Sequence, residues 1–336
     1  MRYLLFLPLL LAACADPAAS SVTSEPASAA ENAATTASSW DSVATVNAPT
    51  ARHEAAFVAV GDKAYLLGGR GIKPVDVYDP ATKTWTSGAP SPVEIHHFQP
   101  VVYKNEIYLL GAMTGPWPDE TALPDVYVYN PARDEWRTAG PIPADRRRGG
   151  AGALLHDGKI YLVCGIVNGH RSGHVPWLDT FDPTTGEWTV LPDAPRARDH
   201  FQAVYAAGKI YAPAGRRTGT TESPFGGTEP LVDAYDLATR TWTTLTDTLP
   251  TPRAGNAAIF HDGSVLVLGG ESTAHEVAHN EVEALDVATG TWSTLAPLSR
   301  GRHGTGVVYL DGKLMMASGC GNRGGSPELG DVIVRE

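Results

Sequence analysis

The chain has 336 residues, with 35 Gly, 26 Pro, 12 Tyr and 8 Trp, a composition that suits short strands joined by many turns. Its 26 Lys and Arg stand against 37 Asp and Glu, a formal net charge of −11, and no basic run exceeds Arg146-Arg147-Arg148. Phosphate binding needs a concentrated positive patch, so no nucleic-acid partner is expected.

The chain opens on Arg2 and an apolar run, Leu4 to Leu11, too short to span a bilayer and closed by Leu11-Ala12-Ala13-Cys14. This ending resembles the lipobox of bacterial lipoproteins. The resemblance implies that residues 1–13 are a signal peptide and that the Cys14 thiol carries a diacylglycerol. The membrane would then be a partner through that anchor. Ala15, where an Asp would mark inner-membrane retention, implies an outer-membrane position facing periplasm or surface. An ordinary signal peptide that happens to end near a cysteine is the plainer alternative. Residues 15–39 are Ala, Ser, Thr, Pro and Glu with almost no bulky apolar side chain, so residues 14–39 read as an anchored flexible linker. The fold is expected over residues 40–336.

Self-similarity sets the architecture from there on. Trp40, Trp85, Trp136, Trp188, Trp242 and Trp292 are spaced 45, 51, 52, 54 and 50 residues apart. Five follow an Asp or Asn by six residues: Asp79, Asn130, Asp182, Asp236 and Asp286. Between them recur apolar strands that end in paired small residues, such as Lys63-Ala-Tyr-Leu-Leu-Gly-Gly69 and Lys159-Ile-Tyr-Leu-Val-Cys-Gly165. The pattern resembles the kelch repeat over about residues 40–336. It implies an all-β, six-bladed propeller with four antiparallel strands, a to d, in each blade. Only Trp40 is followed by Asp, which argues against WD40 repeats. The last unit ends at Glu336 without its fourth strand, and Trp40 to Ala44 is expected to supply it and close the ring. Ala112 and Ala214 stand where other units have glycine, and strain or a side-chain role is expected there. Cys164 and Cys320 fall on opposite blades and read as buried free thiols.

Thirteen residues before each strand-b aromatic position stand Arg52, Ile95, Arg148, Arg198, Arg253 and Arg302. The next position reads His53, His96, Gly149, Asp199, Ala254 and His303, and the one after it Glu54, His97, Gly150, His200, Gly255 and Gly304. Past the glycine pairs come Arg70, Met113, Ile166, Arg216, Glu271 and Cys320. Because strand a is innermost in propellers, these residues are expected to surround one mouth of the central channel. Five arginines there suit an electropositive funnel for a carboxylate, sulfate or phosphate. The alternative is that their forked donors bond local carbonyls. Gln99 and Gln202 follow His97 and His200 by two residues and would face the same way. Glu271, Asn322 and Arg323 lie in the fifth and sixth b–c loops, and Glu271, His97 and His200 are the candidate acid–base groups. Trp117 and Trp177, on long loops, either stack on a ligand or cap the blades. Imidazole also suits Zn, Cu, Mn or Fe, but no spacing fixes a coordination set; no cofactor is predicted and a metal ion stays an open alternative. A galactose-oxidase-like copper site is set aside, since no tyrosine falls in the mouth positions.

Fold alone licenses no activity. The reading favoured by the mouth residues is an envelope lipoprotein binding an anionic or polyhydroxylated ligand, a glycan in the simplest case. The alternatives are a sugar-modifying enzyme, such as a sialic-acid mutarotase-like epimerase, and a protein–protein scaffold. Whether the chain is an enzyme is left undecided by its sequence.

Overall fold

The computed structural model describes residues 39–219 and 223–336, and the described residues form six four-stranded antiparallel sheets and two short two-stranded ribbons. The expected leader, the expected lipidation site Cys14 and the expected tether up to residue 38 lie outside the described residues. Each of the first five blades takes its strands in chain order. The third shows the pattern: Gly152–His156, Lys159–Val163, Leu178–Phe181 and Trp188–Leu191, each pairing with the next. First strands touch those of the neighbouring blades all the way round, from Ala55–Val60 to Val307–Leu310 and back. The sixth blade is completed by Asp41–Ser42, which pairs with Val332–Arg335 in the register Asp41 to Val334 and Ser42 to Ile333. Trp40 is buried beside Leu266, Leu268 and Met316, so the closing strand adds an apolar anchor to its hydrogen bonds.

The recurring residues have local causes. Asp79, Asp182, Asp236 and Asp286 each accept the two backbone amides that lie two and three residues on, and so fold the c–d turn; Asn130 accepts that of Arg133. Trp136, Trp188 and Trp242 donate their indole N–H to carbonyls of the preceding blade, those of Ala89, Pro141 and Pro192. In these three blades the repeat tryptophan therefore ties its own blade to the preceding one.

The paired small residues end strand b in a left-handed conformation: Gly68, Gly111, Cys164, Ala214, Gly269 and Ser318 have φ from 54° to 72°. Ala214 carries the strain expected of it; Ala112, at the second position, does not. Five of these six residues have their carbonyl held by an arginine sixteen positions earlier. Arg52 bonds Gly68, Arg148 Cys164, Arg198 Ala214, Arg253 Gly269 and Arg302 Ser318. Each guanidinium also meets a carboxylate at the start of strand c: Asp76, Asp179, Asp233, Glu283 or Asp331.

The electropositive funnel is thus corrected. All five arginines are fully buried inside their own blades, where their guanidinium groups bond carbonyls and carboxylates. They do not reach the mouth. The second blade lost both halves of the pair: Ile95 replaces the arginine, and Tyr127, opposite Leu109, replaces the carboxylate that stands opposite Leu66, Leu162 and Val267 elsewhere.

Candidate functional site

Around the axis, one residue from each blade adopts a left-handed backbone: Glu54, His97, Gly150, His200, Gly255 and Gly304, with φ from 54° to 64°. Their amides and carbonyls form a belt: His97 N bonds Glu54 O at 3.1 Å, Gly150 N bonds His97 O at 2.9 Å, and so on to Gly304 O, which accepts from Ala55 N at 3.0 Å. At three places the belt is glycine, and a Cβ on Gly304 would lie 2.7 Å from the Glu54 amide nitrogen. At the other three, a carboxylate and two imidazoles are held in a conformation that costs ordinary residues about 1–2 kcal/mol. Such strain is found where side chains must be aimed.

Above this belt the b–c loops enclose a cavity of about 450 Å³, lined among others by His53, Glu54, Arg70, His97, Trp117, His170, Arg216, Phe225 and Glu271. The b–c loops and the starts of strand a do meet at a single rim. His170 comes from the hairpin made by Ile166–Asn168 and Ser172–His174, and Trp117 is 57% exposed at the edge. Trp177 instead lies under the Arg146 guanidinium, 4.3 Å from its ring centre, and caps the third blade.

Charges alternate in the mouth. Arg70 donates to Glu120 at 2.6 Å, and Glu120 also meets His170 Nδ1 at 2.9 Å. Arg216 donates to Glu271 at 2.7 Å and, through Nε, to Thr218, whose hydroxyl donates to Asp199. Asp199 in turn meets His200 Nδ1. His303 stands between Glu54 and Glu271, at 3.7 and 3.6 Å, with its Nε2 also 2.9 Å from the Asn322 and Gly324 carbonyls. Four carboxylates, Glu54, Glu120, Asp199 and Glu271, thus stand against the guanidinium groups of Arg70 and Arg216 and the imidazoles of His97, His170, His200 and His303. An anion gains little from such a mouth.

Burial and neighbours divide the histidines. For His303, burial would lower the pKa, but Glu271, Cys320 and Glu54 more than reverse this and raise it to about 10. For Glu271, burial would raise the pKa, but His303, Arg216 and the Gly324 amide bring it down to about 2. Burial, joined by the Arg70 charge, lowers His96 to about 4; burial and three neighbouring imidazoles push His97 well down. Burial and Arg216 lower His200 against the pull of Asp199. At neutral pH His303 is thus held as an imidazolium, while His96, His97 and His200 are held toward the neutral form.

The remaining expected residues are placed as follows. His53 meets Glu328 at 2.7 Å and lines the cavity, and His96 meets His97 Nδ1 to Nδ1 at 2.6 Å. Asn322 contributes its carbonyl, and Arg323 lies 5.3 Å from the Phe225 ring centre. Gln99 and Gln202 are corrected out of the mouth: they lie lower in the channel, where Gln99 binds the Ala153 and Ala203 amides and Gln202 that of Ala258. They stitch inner strands together. Cys164 and Cys320 are buried and free. His170, Glu120, Thr218 and Phe225 lie on long loops outside the repeat, so no repeat position marks them. Glu54 and Asp199 do occupy aligned mouth positions, and the structure adds them to the site.

A closed ring of six such blades, with a polar cavity over its axis, defines a propeller that carries its chemistry on loops. The chain belongs to the kelch-repeat family: the KLHDC2/KLHL20/DRC7 Kelch-repeats domain matches residues 150–334. It is 30% identical to Kelch-like protein terF of Aspergillus terreus over 288 residues, 80% of this chain and 61% of that one. Kelch-like protein 40 of Xenopus laevis is 29% identical over 47% of this chain, and beta-scruin of Limulus polyphemus 25% over 74%. The chain spans 61% of the terF protein's length, 26% of Kelch-like protein 40 and 28% of beta-scruin. The solved structure of YjhT superimposes with a TM-score of 0.72 at 16% identity, over 86% of this chain and 96% of that one, a likeness of fold.

Proposed function

We propose that this chain is a lipid-anchored propeller of a bacterial cell envelope whose mouth binds a polyhydroxylated small ligand, a glycan unit in the simplest case. The observation that carries this reading is the cavity of about 450 Å³ over the axis, which combines the rings of Trp117 and Phe225 with alternating carboxylates and guanidinium groups. Sugars present apolar faces that stack on aromatic rings and hydroxyls that both donate and accept, so a charge-balanced polar wall suits them better than it suits an anion. Between the two ligand classes expected from the sequence, the carboxylates of the mouth favour the neutral one.

A glycan-array screen of the purified chain, followed by calorimetry on any hit, tests the proposal. Trp117→Ala is expected to weaken binding about tenfold or more, since a lost aromatic stack is worth about 0.5–1.5 kcal/mol beyond the area it buried. Its fold should be unaffected, because the side chain is already 57% exposed. Retained affinity in Trp117→Ala and Phe225→Ala chains would remove the mouth from consideration. A second reading, protein docking on the same face, is favoured by the exposed Ile72 and Val277, which sit with Trp117 on b–c loops. Protein capture blocked by Ile72→Asp and Val277→Asp, without any glycan hit, would select it.

A further inference from the structure

We propose that His97, His170 and His200 hold a divalent transition-metal ion of zinc type, bound through their Nε2 atoms at the floor of the mouth. The three side chains come from three separate elements: two positions of the axial belt and the tip of the 166–174 hairpin. One ligand nitrogen from each lies within 4.8 Å of the other two. Their ring centres form a nearly equilateral triangle, with sides of 5.1, 4.9 and 4.7 Å. Small ring rotations bring three such nitrogens to the 2.0–2.1 Å at which imidazole binds zinc.

The surroundings are those of metal-ligating histidines. Such residues usually donate the other ring N–H to a carboxylate or carbonyl, which fixes tautomer and orientation. Here His170 Nδ1 meets Glu120, His200 Nδ1 meets Asp199 and His97 Nδ1 meets His96, so each ring turns Nε2 inward. Those partners are themselves fixed, Glu120 by Arg70 and Asp199 by both groups of Thr218. Most telling, His200 Nε2 is buried and has no hydrogen-bond partner. With Nδ1–H given to Asp199, it is a bare, buried acceptor, an arrangement proteins rarely keep without a ligand. Glu54, 3.2 Å from His97 Nε2, adds a nearby negative charge to balance a cation.

Three neutral nitrogen donors select zinc or its neighbours over magnesium and calcium, which take oxygen ligands. Three protein ligands also leave a fourth position for exchange. That position opens on the cavity that His97 and His170 line. A second group of potential ligands, His275, His279 and Glu281, carries no such case, because both nitrogens of His279 are already bonded to Ser272 and Glu281.

The test uses the full chain, purified without a polyhistidine tag, with zinc ion as the probe. After chelation and dialysis, elemental analysis and calorimetry should find one zinc per chain, with a rise in melting temperature on loading. Cobalt substitution should give the visible absorption of a four-coordinate nitrogen site. His170→Ala, on a surface hairpin, should abolish uptake; Glu120→Gln, which keeps all three ligands, should weaken it about 10–100-fold. Should His170→Ala misfold, the Glu120→Gln titration decides. A parent chain that takes up no zinc at micromolar concentration overturns the proposal, as does a folded His170→Ala chain that binds like the parent. No glycan is needed for these measurements. A chain that binds zinc but no glycan refutes the ligand reading alone, and the converse refutes the metal site alone.

Discussion

Replacing Arg253 with Ile asks whether the ring of arginines is structural, and the second blade supplies the control. In the fifth blade, Arg253 bonds the carbonyls of Gly269, Val267 and Thr251 and pairs with Glu283, all in the interior. Arg253→Ile would leave Glu283 buried with Thr251 as its remaining side-chain partner and three carbonyls short of a donor. Breaking a buried pair in this way costs about 3–5 kcal/mol. At roughly 2 °C per kcal/mol for a fold of this size, the melting temperature should fall by about 6–10 °C. The double variant Arg253→Ile, Glu283→Tyr reproduces Ile95 and Tyr127. The match extends to the outer strand, where Tyr127 faces Thr138 and Glu283 faces Thr294. With no charge left unpaired, the double variant should recover more than half of the loss. Urea unfolding of the parent, both single variants and the double variant gives the coupling directly. A single variant within about 1 kcal/mol of the parent, or a double variant with additive losses, would refute the account.

Other outcomes follow from the same geometry. Removing residues 40–46 deletes the closing strand and the buried Trp40, and should cost at least the 3–5 kcal/mol typical of a lost buried tryptophan; removing residues 15–38 should leave the melt unchanged. Equal melts would reject closure by that strand. The raised pKa of His303, about 10 against an ordinary 6.5, adds stability that is complete below pH 6.5 and is lost as pH climbs through 10. The melting temperature of the parent should therefore decline more steeply than that of His303→Gln between pH 6.5 and 10, and parallel curves would sink the charged-imidazole assignment. Cys14→Ala should move the exported chain from the membrane fraction to the soluble one, and continued membrane attachment would count against lipidation.

Much of this molecule is written in its repeats. Six tryptophans, five turn-capping Asp or Asn residues and six pairs of small residues define six blades, because they fill equivalent places in successive copies. The unmatched Trp40 at one end and the missing strand at the other define the closure. Alignment of the copies also located the rim, since equivalent positions in a ring must lie at equal height. What alignment could not tell was direction. Arg52 and Arg253 share a repeat position with no sign of whether the guanidinium points to the axis or into the blade; that depends on a carboxylate some thirty residues later, in strand c. Gln99 and Gln202 differ from the expected placement for a similar reason, since a small offset along strand a shifts a side chain from mouth to channel. His170 and Glu120 lie in loops that follow no period, so nothing in the order of residues joins them to His97 and His200. Only closure of the ring brings these insertions over the axis. The repeats therefore determined the scaffold, which rests on local and identical interactions, while tertiary structure alone decided the site, which rests on contacts between unlike loops from different blades.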